Sequence, residues 1–247
     1  MTAPAYLWVF MLFANFTIIG VLLFGVDAAL ARGGVQSGRR RHLVRSAALL
    51  LAGWMALATA LGWLGIFEGA PDRKVPWIAL AVVIPISAGI RMLRHSAAMR
   101  EVVRAVPQSW LIGLQAYRGL GSIFLVLLGM NLLPGVFALP AGFGDVLVGL
   151  LALPVAALVS GGARREGLVV AWNILGIADL VIALTAGFLS SPGPLQQLSL
   201  GHPNYLAGAY PLVLIPVFAV PLSIVLHAAS LGKVGWRQHA EPVAAVA

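Results

Sequence analysis

Six polar residues that could do chemistry sit inside long apolar runs of this sequence: Gln115, Arg118, Asp145, Asn173, Asp179 and His227. A charge in an apolar run of membrane-crossing length costs about 2.5 kcal/mol or more, and it normally faces the interior of a helix bundle beside a partner. Arg118 lies about eight residues into its run, about 12 Å from the end at ~1.5 Å per residue. Gln115, Arg118 and Ser122 follow helical spacing and share one face. Asp179 lies near the middle of a later run, with Trp172, Gly176 and Ala183 on its face and Asn173 at the edge. Gly176 would let a neighbouring helix come close. By depth, Asp179 is the expected partner of Arg118. Such a pair either locks two helices together or serves a proton or a small solute. The competing expectation is that Arg118 snorkels to the headgroups.

Asp145 follows Pro140-Ala141-Gly142-Phe143-Gly144. Two glycines and a proline predict a loosened helix start or a short re-entrant segment, which membranes tolerate only under a cover of protein or water. Gly142, Asp145 and Gly149 share a face, and Asp145 is either a capping residue or an ion or proton site. Asp27 ends the first run and is placed to neutralise a nearby arginine. The last run carries Pro211, Pro216 and Pro221, each of which removes a backbone donor and tends to kink a helix. Ser223, His227 and Ser230 share one face there. His227 is either a neutral imidazole bonded to another helix or an axial ligand of a b-type haem, whose second ligand would have to be His95, since His42 lies in a loop. The five histidines form no H-x-x-x-H pair, cysteine is absent, and the metal content is left open.

These residues need elements to position them. The chain has 247 residues, of which 60% are hydrophobic and 10% charged, and a mean hydropathy of +0.96. A soluble domain is about 25% charged. Seven apolar stretches, at about 6–27, 47–67, 77–93, 110–133, 137–160, 168–189 and 207–231, approach the ~20 residues that cross a bilayer as helix. The expected fold is all-α, a seven-transmembrane-helix bundle forming one domain over 1–247. The net charge of +8 does not indicate nucleic acid, because the basic residues lie in short loops beside apolar runs, where they face the lipid bilayer.

Arg32, Arg39, Arg40, Arg41, Arg45, Arg91, Arg94, Arg100, Arg104, Arg164, Arg165, Lys233 and Arg237 fall on one side of the bundle, whereas the other side has Arg73 and Lys74, offset by Glu68 and Asp72. The positive-inside rule then puts the N-terminus outside and the C-terminus in the cytoplasm, and an odd number of spans agrees. The first run is held as an uncleaved span, because Met1 to Trp8 carry no Lys or Arg and the run is long for a signal peptide. Segment 94–106 is expected to extend the third span or lie on the inner headgroups. The polar loop 190–210 is expected to cap the outer end.

The runs QAYRGLGSIFL, LPAGFGDVLVGLLA, WNILGIADLVIALTAG and LIPVFAVPLSIVLHAASL resemble a group of bacterial seven-helix inner-membrane proteins that carry no assigned function. The resemblance covers about 115–231. It implies the bundle architecture, a multi-pass place in the bacterial cytoplasmic membrane, and one framework containing Arg118, Asp145, Asp179 and His227. Neither a rhodopsin nor a rhomboid-type protease fits: the last span has no Lys for a retinal, and the run Leu158-Val159-Ser160-Gly161 departs from Gly-x-Ser-Gly. The functional expectation is small-solute or proton-coupled transport through the polar site between spans 4 and 7. The alternatives are a structural or accessory subunit and a haem-binding redox protein using His227; the expected partners are the lipid bilayer, a proton or small solute, and a second copy of the chain in a homo-oligomer.

Overall fold

The structure is a computed structural model that describes residues 5–70, 72, 75–161 and 165–240, with side chains to residue 236. Arg73, Lys74 and Arg164 of the charge pattern lie outside the described residues, as does the side chain of Arg237. The helices are α1 (Ala5–Arg32), α2 (Ser37–Trp63), α3 (Trp77–His95), α4 (Ala97–Ala105), α5 (Gln108–Gly129), α6 (Gly135–Ser160), α7 (Glu166–Ser190) and α8 (Val220–Ala240), the last entered through a π-helical turn, Ile215–Ala219. There is no strand among the described residues. Seven helices, all except α4, are long and apolar enough to cross a membrane.

Lipid is required by what these helices leave uncovered. Val9, Phe13, Phe16 and Phe24 form a stripe on α1 that is 64–75% exposed, and Leu150 on α6 is 67% exposed. Exposed apolar surface of this extent is stable only against hydrocarbon. Trp8, Trp63 and Tyr210 cluster edge to face at one end, with centroids 4.7–5.8 Å apart, as aromatic residues do at a membrane interface. The arginine-rich ends of α1, α2, α3 and α4 lie at the other end.

The second span begins ten residues earlier than its hydropathy suggests: α2 starts at Ser37, so Arg39, Arg40, Arg41 and Arg45 ride on helix rather than loop. A two-glycine turn makes this possible, with Gly34 at φ 73°. Asp27 meets Arg40 at 3.1 Å across that turn. The segment after α3 does not extend it. Ser96 leaves helical backbone and its hydroxyl accepts from the Met99 amide, so α4 starts afresh as a short helix with one charged and one apolar face. Lys233 is no tail residue in contact with headgroups. It is buried, and its ammonium caps the far end of α4 by donating to the carbonyls of Val103, Arg104 and Val106.

The loosened start expected around Asp145 is absent. α6 runs unbroken through Pro140, and Asp145 is ten residues inside it. The glycines there serve close packing instead: a Cβ on Gly142 would strike the Leu125 side chain and one on Gly144 the Asp179 carboxylate. The polar segment before α8 folds back into the bundle, with Asn204, Leu206, Ala207 and Gly208 buried and the Asn204 amide donating to the Ser190 carbonyl at 2.9 Å. Helix resumes only at the π turn around Pro216, where Pro211 and Pro216 interrupt the backbone ladder.

Candidate functional site

The centre of α5 is wound as a 3₁₀-helix, Leu114–Ser122. Three residues per turn stack positions i and i+3 directly. Gln115, Arg118 and Gly121 therefore form the buried file, and Ser122, expected on the same face, is exposed. α6 packs along this stretch more extensively than any other pair of elements. Arg118 does not snorkel. Its side chain is 2% exposed and holds two carboxylates from two helices. Nε donates to Asp145 Oδ1 at 2.8 Å, and Nη2 lies 2.8 Å from the same oxygen. Nη2 also donates to Asp179 Oδ2, and Nη1 donates to the Gly176 carbonyl at 3.1 Å. One guanidinium fork thus joins α5, α6 and α7. Its planar donors suit such sharing as a lysine ammonium would not. With both carboxylates ionised, the triad carries one negative charge in excess.

Glycines seat the group. The Asp145 carboxylate lies on Gly121, that of Asp179 on Gly144, and the His227 ring and Arg118 Nη1 both face Gly176. Gly149 meets the backbone of Gly119. A methyl at Gly144 would coincide with an Asp179 oxygen, so Gly144→Ala is expected to lower stability by about 1–3 kcal/mol. Thermal unfolding of the purified protein in detergent, compared with the neighbouring Phe143→Ala, measures this. Phe143 is 61% exposed.

A second polar layer continues toward the arginine-rich end. Asn173 donates through Nδ2 to the Val169 carbonyl at 2.7 Å and to Ser230 Oγ at 2.9 Å. A carbonyl only accepts, so the amide orientation is determined and Oδ1 must face His227 Nδ1, 2.9 Å away. His227 therefore carries its proton on Nδ1 and presents the bare Nε2 lone pair toward Gly176, with no protein partner. Gln108 closes the layer with bonds to Ser230 Oγ at 2.6 Å and Ser230 O at 3.2 Å. Gln115 exchanges bonds with Ser223, giving Nε2 to its carbonyl at 3.1 Å and accepting from its hydroxyl. All six of the polar residues legible in the sequence are thus brought to one region, between α5, α6, α7 and α8. The surroundings of His227 do not fit haem: the ring is fully buried, tilted against Trp172 with centroids 5.0 Å apart and pressed on Gly176, while His42 and His95 are exposed. Among the described residues no three His, Asp or Glu side chains are placed to hold a metal.

Three neighbouring cavities lie between the arginine-poor end and the triad. The first, about 60 Å³, is lined by Glu68, Asn204 and Ser191. It shares Ile78, Phe188 and Ser191 with a second of about 50 Å³, walled by Phe124, Phe137 and the π-turn residue Pro216. That one shares Asp145, Leu180, Ile215 and Val220 with a third, also about 50 Å³, which Arg118, Asn15 and Ser223 border. A water needs about 10–15 Å³ measured this way, so each can hold water. Asp145 stands where the second and third meet. Asn15 is buried on α1, and its Oδ1 has no protein partner. Sequence reading passed over Asn15, because a lone Asn in an apolar run has no periodic companion to mark it.

An all-α bundle with seven spanning-length helices and an ionic triad at its core is the architecture of a multi-pass membrane protein. Within that class, the chain belongs to the family described as Domain of unknown function (DUF8737), whose model matches residues 75–234, well over half of the sequence. No curated protein and no solved structure matches the chain. The family match takes in α3 to α7, α8 as far as residue 234, and every residue of the triad and of the His227 layer.

Proposed function

We propose that this protein lies in a bacterial cytoplasmic membrane, N-terminus outside, and moves protons or a small solute coupled to protons through the site between α5, α6, α7 and α8. The observation that carries the reading is the charge imbalance at the end of the string of cavities. One arginine serves two carboxylates, Asp145 buried and Asp179 partly buried, among apolar helices. An uncompensated charge there is costly, so the resting triad takes up a proton or another small cation. The cavities supply a path for it from the arginine-poor end, and the π turn with Pro216 and Pro221 supplies a weak point at which α8 could move. In this scheme Asp145 meets the incoming cation, Asp179 shares the proton, and Arg118 sets the affinity of both.

Protein reconstituted into vesicles with an entrapped pH-sensitive dye is expected to dissipate an imposed proton gradient, and Asp179→Asn to stop it. Flux unchanged in Asp179→Asn sinks the transport reading. A structural role remains the second reading, favoured by the glycine seats, which pack the triad as densely as a helix lock would be packed. It predicts no flux in either protein and a lower melting temperature for Gly144→Ala.

The orientation has its own test. The chain contains no cysteine, so one introduced thiol reports cleanly. Gly38→Cys, at an exposed site where an added side chain meets nothing, is expected to resist a membrane-impermeant maleimide in intact cells. Gln197→Cys, exposed at the opposite end, is expected to react. The reverse pattern would invert the bundle.

A further inference from the structure

A cavity larger than the three beside the triad lies away from it. It occupies about 220 Å³ at the arginine-rich end, between α2 and α3, beneath α4. α2 leans on α1 and the π turn, and α3 leans on α8 and the same turn, which leaves a slot between them. Ala47 and Leu50 of α2, Leu93 of α3, Val102 of α4 and Trp110 of α5 wall it, and Ser46 and Ser96 are the polar residues of its lining. Leu50 is 52% exposed, so the slot opens sideways toward hydrocarbon. A space this apolar has nothing to hold a polar solute.

α4 roofs the slot. Its Val102 and Val103 face inward, while Arg100, Glu101 and Arg104 lie on the other face. Arg39 stands at the rim. It follows Leu43 and Leu50 of the lining at helical spacing and clasps Glu101 with Nη2 at 2.8 Å and Nε at 3.3 Å, tying α2 to the roof. Among the described residues, the bonds of this clasp use Nε and Nη2 and not Nη1. At this end the arginines of α2, α3 and α4 outnumber the carboxylates of the described residues there, Asp27, Glu101 and Glu166.

We propose that this slot is a binding site for an anionic phospholipid, one acyl chain lying between α2 and α3 and the headgroup phosphate held by Arg39 at the rim. Charge complementarity selects the headgroup, and the apolar walls select the chain. The site is separate from the triad and independent of whether anything is transported.

Native mass spectrometry of the detergent-solubilised protein, titrated with phosphatidylglycerol and with phosphatidylcholine of the same chains, tests it. One phosphatidylglycerol per chain is expected to be retained with about five-fold preference, the effect of one arginine near a membrane surface. Arg39→Gln should erase the preference, and Ala47→Trp, which fills the slot, should remove the retained lipid. In vesicles, chain-brominated phosphatidylglycerol should quench the Trp110 emission, taken as the difference between the protein and Trp110→Phe. This second measurement uses the unaltered slot and decides the matter even if Ala47→Trp fails to fold. Equal retention of the two lipids, retention undiminished in a folded Ala47→Trp, or unquenched Trp110 emission would each overturn the proposal.

Discussion

Arg118→Met is expected to destabilise the protein by about 3–5 kcal/mol, because it leaves the buried Asp145 and the partly buried Asp179 together with no positive partner. The folded monodisperse fraction in detergent should fall sharply, and the melting temperature with it. The cause is the uncompensated charge and not the lost side chain. Neutralising both acids in the same background, with Asp145→Asn and Asp179→Asn, is therefore expected to restore most of that stability. Arg118→Lys should fall between, because an ammonium keeps the charge but lacks the planar fork that reaches Asp145, Asp179 and the Gly176 carbonyl at once. Equal stability of Arg118→Met and the parent protein would mean that the triad contributes little to holding α5, α6 and α7 together. Thermal unfolding of the three variants beside the parent protein is the measurement.

Asp145→Asn has the opposite sign on stability and the larger expected effect on activity. Removing one of the two carboxylates leaves Arg118 and Asp179 as a balanced pair. The fold is then expected to be as stable as the parent or slightly more so, since a buried charge is costly to keep. The same change removes the excess negative charge that would draw in a proton or small cation, and it does so at the residue shared by the second and third cavities. Proton flux in reconstituted vesicles is expected to drop to that of protein-free vesicles. A stable Asp145→Asn with parent-level flux would take the triad out of the pathway. The two variants separate structure from function: Arg118→Met should damage folding, and Asp145→Asn should damage only flux.

Much of this was legible from residue types alone. Hydrophobic runs of the right length must become spans, because a buried backbone in lipid has to satisfy its own hydrogen bonds. An arginine and two aspartates inside such runs must find one another or water, so Arg118, Asp145 and Asp179 stood out without any structure. The pairing of Arg118 with Asp145 was less visible. The glycines around Asp145 suggested a broken helix, whereas they serve close approach: Gly142 receives Leu125 and Gly144 receives the Asp179 carboxylate. A glycine in a membrane helix reads the same in either role until the neighbour is known.

Ser122 and Lys233 show the same boundary from two sides. Ser122 followed Arg118 at α-helical spacing, but the chain there winds with three residues per turn, and Gly121 takes the buried place. The tighter winding coincides with close packing against α6, where Gly149 meets the Gly119 backbone. Lys233 read as one more positive charge in a tail, yet it is buried against the carbonyls that end α4. Only the return of the last helix to the arginine-rich end brings it there.

The amino-acid sequence by itself determined the helical class, the number of spans and the identity of the costly polar groups, because hydropathy and charge are properties of each residue and act wherever it sits. The tertiary structure alone decided which carboxylates share Arg118, which tautomer His227 takes, and where the cavities meet. Those depend on distances of a few ångströms between helices far apart in the chain, and such distances come from packing, which no single run of residues encodes.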